Sequence, residues 1–274
     1  MIVSDVRNPF FTALVRGIED VASAAGYSVV LCNSDENPAK EANYIGVALT
    51  EQMAGVIISL SSSTVTEVTQ MVDSGFPVVL VDRELEGVQA DAVQVDNEHG
   101  AWLATTHLMD QGYQRIACIT GPERVSTAAQ RLSGYCRALR EAGHDPDDAL
   151  VRHADFRERG GRAAIASLLD DGQPPDAVFV TNNLMTMGVL ECLTQRDIAM
   201  PEELALACFD ELPWTDLVRP TVTTITQPTY REGRAAADLL VQRIRDPSRI
   251  PTRIVLETIL QVGETTAAVR RAAS

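Results

Sequence analysis

The chain has 274 residues, 45% of them apolar and 22% charged, the balance of a globular protein of one or two domains. A formal charge of −15, with Lys40 as the single lysine and the arginines scattered, argues against nucleic-acid contact by this chain, which needs a concentrated basic surface. No apolar run approaches the ~20 residues of a membrane span and no signal-peptide pattern is present, so a cytoplasmic location is expected. The first apolar run stops at Ser4. Asn8-Pro9 then opens a helix, with Asn8 as its cap and Pro9 where a missing N–H costs nothing; apolar residues recur at Leu14, Val15, Ile18, Val21 and Ala22 until Gly26.

Short buried strands are predicted at 29–32, 55–59, 77–82 and 92–95, separated by helices over 38–53 and 65–74 and an irregular turn at 84–91. A new unit starts at Val95-Asp96-Asn97 with a helix running to Gln111. Strands at 115–120, 150–153, 176–181, 204–209 and 222–225 follow, with helices over 126–142, 157–171 and 184–195. Beyond Gln227-Pro228 come one more helix, 229–244, a loop at 246–251 and a last strand, 253–262. Alternating strands and helices predict an α/β protein with two doubly wound parallel-sheet lobes. The extra helix and strand are shared out, giving lobes of 1–96 plus 228–251 and 97–227 plus 252–274. Three crossings, near Asp96, Gln227 and Thr252, would form a hinge, and a cleft between hinged lobes is a place for a small molecule.

The ordered series of short motifs resembles the sensing core of the lactose-repressor family of bacterial regulators (LacI/GalR type). It comprises Asn8-Pro9-Phe10-Phe11, Pro77 to Asp82-Arg83, Val95-Asp96-Asn97, Gly112-Tyr113, Thr120-Gly121-Pro122, Arg131 to Tyr135, Thr181-Asn182-Asn183, Phe209-Asp210-Glu211, Arg219-Pro220-Thr221 and Gln227-Pro228. The chain departs from the family pattern at Asn183, Cys208 and Gly263, where Asp, Gly and Arg are usual. The resemblance implies a type I periplasmic-binding-protein-like fold, a small-molecule effector such as a sugar, and a homodimer. It also implies that operator DNA is contacted only through a helix-turn-helix headpiece missing from this sequence, since Met1 stands inside the first strand.

A polyol needs groups that read hydroxyls in fixed directions and rings that cover its C–H faces. At the predicted strand ends, Asp5, Asn8, Asp82, Arg83, Arg131, Asn182 and Asp210 supply the first, and Phe10, Phe11 and Trp214 the second. Gln227 joins them through the resemblance, which also makes Arg131 and Asp210 the principal hydroxyl contacts. Other readings stand beside these. Asp210 reads as a helix cap, Arg131 as a solvated helix residue, Asp82-Arg83 as a surface turn, and Trp214 as packing under a lobe. Adjacent helix residues point about 100° apart, so one of Phe10 and Phe11 is expected in the core. Asp96 and Asn97 read as hinge residues or as a cap for the helix they precede.

Catalytic and cofactor patterns are lacking. The four histidines and five cysteines have no metal-ligand spacing, and there is no phosphate loop, nucleophile elbow or dinucleotide glycine motif. No metal, no cofactor and no enzymatic activity are expected. The alternative functions are a free-standing sugar-binding protein of a transport system and a sugar-modifying α/β enzyme, which would need an acid-base pair.

Overall fold

The computed structural model describes residues 1–61, 66–85, 87–212, 217 and 219–267. The chain begins with β1 (Ile2–Val3), α1 (Pro9–Ala24), β2 (Cys32–Asn33), α2 (Pro38–Thr50), β3 (Val56–Ile58), α3 (Thr66–Asp73), β4 (Val78–Val81) and β5 (Asp91–Val95). It continues with α4 (Asn97–Asp110), β6 (Ile116–Thr120), α5 (Ser126–Glu141), β7 (Val151–His153), α6 (Glu158–Leu169), β8 (Ala177–Val180), α7 (Asn183–Gln195) and β9 (Ala205–Phe209). The final elements are β10 (Thr223–Thr226), α8 (Thr229–Arg245), β11 (Arg253–Leu256) and β12 (Ile259–Gln261).

Helix starts follow the sequence chemistry. Asn8 accepts from the Phe10 N–H at 2.9 Å with Pro9 first in α1, and Asn37 caps α2 ahead of Pro38 in the same way. Asp96 accepts from the His99 N–H at the start of α4.

Two compact units result. The first comprises Met1–Val95, Arg124–Thr127 and Pro228–Glu257; the second comprises Asp96–Glu123, Ala128–Gln227 and Thr258–Ser274. Each holds a six-stranded sheet, in the orders β11-β5-β4-β3-β1-β2 and β12-β10-β9-β8-β6-β7. The first sheet is parallel throughout; in the second only β12 runs antiparallel, against β10. Strand order reverses between β1 and β3 in one sheet and between β6 and β8 in the other, and at such points the carboxyl ends of the strands open a crevice for ligands.

Both faces of the first sheet are covered. Val3, Ile57, Val79 and Val81 pack with α1 and α8 on one side, while Ile2, Ile58, Val78 and Leu80 pack with α2 and α3 on the other. Two-sided burial is the reason these strands read as unbroken apolar runs. In the second unit Leu108, Ile116, Tyr135, Phe179 and Phe209 form a single core cluster.

Two elements differ from the sequence reading. The strand expected at 29–32 shrinks to Cys32–Asn33, because β1 offers only Ile2 and Val3 as partners; Val30 and Leu31 are left exposed. The single last strand expected over 253–262 is two strands. Arg253–Leu256 pairs with β5 in the first sheet and Ile259–Gln261 with β10 in the second, so residues 252–257, assigned above to the second lobe, belong with the first unit.

Candidate functional site

The first unit assembles a polar group at the carboxyl ends of β1, β3 and β4. Asp82 directly follows β4 with φ of 68°, a left-handed conformation that is costly for a side-chain-bearing residue, and its Oδ2 accepts from the Ser59 hydroxyl at 3.1 Å. Arg83 is 6% exposed. Its two Nη groups fork onto Glu36 at 2.8 and 2.6 Å, Nη1 also donates to the Leu60 carbonyl at 2.5 Å, and Nε stands 3.5 Å from Asp82. Burial works against the guanidinium charge, but Glu36, Asp82 and Glu41 outweigh it and hold the Arg83 pKa above its ordinary value. The surface-turn reading of Asp82-Arg83 therefore gives way.

Other residues predicted for this unit are engaged locally. Asp5 accepts from the backbone N–H of Arg7 at 3.0 Å and from its guanidinium at 3.2 and 2.8 Å. Asn8 spends its side-chain oxygen on capping α1. Phe10 and Phe11 both lie in the core, their rings edge to face at 5.0 Å; the expectation that only one would be core is corrected. The helix start sits directly over the sheet, so two faces of its first turn are covered.

Glu36 and Glu41 were missed. Glu36 stands in the loop after β2, where the strand-end rule points as it does for Asp82. Glu41 is fully buried, its Oε2 accepting from the Ser61 N–H at 2.7 Å while Oε1 has no hydrogen-bond partner. Burial is the main force pushing its pKa up to about 7, against the Ser61 hydrogen bonds and the Arg83 charge. Its register with buried Ile45 and Ala48 on α2 is the sequence signal that it faces inward.

The second unit centres on Arg131, 3% exposed in α5 and thus not a solvated helix residue. Nε donates to Asn97 Oδ1 at 2.8 Å, Nη1 donates to the Thr181 carbonyl at 2.6 Å and lies 3.7 Å from Asp210 Oδ2, and the guanidinium carbon stands 3.7 Å from the centre of the Phe209 ring. Asp210 follows β9 as Asp82 follows β4, with φ of 75° and its N–H donating across to Ile225. Gln227 Nε2 donates to Asp210 Oδ1. Arg131, Asp210, Gln227 and Asn97 are therefore one connected group. Asn97, read from sequence as hinge or cap, holds Arg131 and donates to Gln130 at 3.0 Å, while Asp96 is the cap.

Asn182 caps α7 by accepting from Met185 N–H, and its Nδ2 donates to the Phe156 carbonyl at 3.1 Å. Phe156 was missed. It is buried, with φ of 59°, and its ring lies where a Cβ on Gly121 would come within 2.2 Å. An isolated aromatic in the Asp155-Phe156-Arg157 loop carries no periodic signal, and only the position after β7 marks it. Trp214 lies outside the described residues. Of the departures from the family pattern, Cys208 is a buried β9 residue, and Gly263 stands where a Cβ would fall 2.4 Å from the Thr221 carbonyl oxygen, too close for a larger residue.

Among the described residues there is no cluster of His, Cys, Asp and Glu able to hold a metal ion, and no helix is long and apolar enough to cross a membrane. The described groups pair buried arginines with carboxylates at strand ends, an arrangement chemically able to hydrogen-bond hydroxyl groups.

Comparison with known proteins finds similar transcriptional regulators. The chain is 33% identical over 245 residues to the transcriptional repressor CytR of Escherichia coli, covering 89% of this chain and 72% of that protein. It is 32% identical over 262 residues to the ribose operon repressor of Escherichia coli, covering 95% and 79%. Among solved structures, the complex of the transcriptional regulator CelR with cellobiose superimposes with a TM-score of 0.88 at 32% identity, over 96% of this chain and 83% of that one. Residues 1–260 match the family described as periplasmic binding proteins and sugar binding domain of LacI family, and the chain belongs to that family.

Proposed function

We propose that this chain is the effector-sensing and dimerisation core of a LacI-type transcriptional regulator of the bacterial cytoplasm. The observation that carries the reading is Arg131, a guanidinium buried at the end of a sheet and held by Asn97, Thr181 and Asp210 in a fixed orientation. Burying a charge is costly unless it is paired, and a buried, oriented pair at strand ends is poised to bind. The names of the relatives, repressors and a regulator in complex with cellobiose, favour a sensor over a transport protein or an enzyme.

In this reading a sugar or sugar-like effector is read by Arg131, Asp210, Asn182 and Gln227 of the second unit and by Asp5, Asn8, Asp82 and Arg83 of the first. Phe156 supplies an apolar face. Effector binding shifts the equilibrium between two arrangements of a homodimer, and operator affinity changes with it. A coupling of about 1–3 kcal/mol suffices for a change of tens of fold, provided the effector distinguishes the two states.

The test is a thermal-shift screen of the chain and its Asp210→Ala variant against sugars, polyols and nucleosides. A ligand at 100 times its dissociation constant adds about 2.7 kcal/mol, several degrees for a protein of this size. Stabilisation of the wild type with loss of the response in the variant supports the reading; an equal response in both removes Asp210 from the site.

A further inference from the structure

We infer that the effector is a polyhydroxylated molecule without phosphate or carboxylate, and that Glu36 and Asp210 enforce this; the inference rests on the sensing function proposed above. Among the described residues of the first unit, the buried guanidinium of Arg83 is already paired with carboxylates before any ligand arrives. Glu36 takes both Nη groups at 2.8 and 2.6 Å, and Asp82 stands 3.5 Å from Nε. Arg7 is likewise closed onto Asp5 at 2.8 Å. In the second unit Arg131 stands 3.7 Å from Asp210, its Nε donates to Asn97 and its Nη1 to Thr181.

The surrounding loops add no cationic surplus. After β2 come Asp35 and Glu36 with no cation before Lys40, which is itself followed by Glu41; after β4, Arg83 stands between Asp82 and Glu84. Arg124, which belongs to the first unit, is preceded in sequence by Glu123, and in the second unit Arg157 and Arg159 stand in sequence with Asp155 and Glu158.

An anionic group entering such a site must either displace a carboxylate from its arginine or go without a counter-charge. Both cost far more than placing a hydroxyl, which donates to a carboxylate lone pair or accepts from an N–H without disturbing either pair. Glu36 acts here as a specificity residue. It occupies the fork that a phosphate or carboxylate would otherwise take.

The experiment measures calorimetric affinity of the whole chain for matched sets: ribose with ribose 5-phosphate, and glucose with glucose 6-phosphate. Cellobiose and neutral nucleosides with their monophosphates extend the series. The expected result is binding of a neutral member with its phosphorylated counterpart at least tenfold weaker, and a gain of phosphate-ester binding in Glu36→Gln. A charged counterpart that binds as tightly as its neutral parent overturns the inference and leaves the sensing function standing. Unchanged discrimination in a folded Glu36→Gln variant also overturns it. Failure of every compound in the panel removes the sensing function itself, and the inference with it.

Discussion

Arg131 Nε donates to the Oδ1 of Asn97 at 2.8 Å, tying α5 to the first residue of α4. The bond makes Asn97, which reads from sequence as a hinge residue or a cap, the support of Arg131, the effector contact proposed above. Asn97→Ala leaves a buried guanidinium N–H without its acceptor, at a cost of about 2 kcal/mol. We expect a thermal midpoint several degrees lower and a weaker effector response. An unchanged midpoint removes Asn97 from this role.

Glu41 makes stability depend on pH. Burial raises its carboxyl pKa in the folded state to about 7, so the folded protein binds this proton more tightly than the unfolded chain does. The resulting stabilisation is complete below the unfolded pKa near 4.5 and is lost as pH rises towards 7, an amount of about 3 kcal/mol from the size of the shift. Urea midpoints of wild type and Glu41→Gln between pH 4 and 8 check this. Their difference should change across that window, and a difference independent of pH rules the account out.

Asp210 sits at φ of 75°, where Asn is tolerated better than Ala. Asp210→Asn should therefore be more stable than Asp210→Ala by about 1 kcal/mol, the order of the strain involved. Both should lose effector binding, because the carboxylate facing Arg131 is gone. Equal denaturation midpoints for the two variants count against backbone strain as the discriminating factor.

Gly121 lies against Phe156, and a methyl group placed there would come within 2.2 Å of the ring. Gly121→Ala should cost about 1–3 kcal/mol through overpacking and displace Phe156. Adding Phe156→Ala should recover part of that loss. A double-mutant cycle measures the coupling, and strict additivity would show that the two residues do not compete for space.

Much of the architecture was legible in the chain itself. Asn8-Pro9, Asn37-Pro38 and Gly26 mark helix ends by local chemistry, and the apolar runs of β3, β4, β8 and β9 identify strands buried on both faces. Arg131, Asp210, Asp82 and Arg83 were identifiable because they follow or face strand ends within a recognisable order of motifs. Glu36 and Glu41 carried weaker signals, a place after β2 and a register shared with Ile45 and Ala48 on α2, which do not name their partners; Phe156 stands in a loop with no periodic signal.

Sequence by itself determined the alternation of strands and helices, the caps and the acidic charge, because these depend on periods and contacts within a few residues. Only tertiary structure decided which carboxylate neutralises which arginine. Glu36 is 47 residues from Arg83, and the Asn97–Arg131 bond spans 34. It likewise decided that the last strand divides after Leu256, because β5 and β10 in two different sheets each offered an edge to pair with. Local propensity sets what a segment can be; its long-range partners are selected by pairing and burial, which become defined only when the sheets assemble.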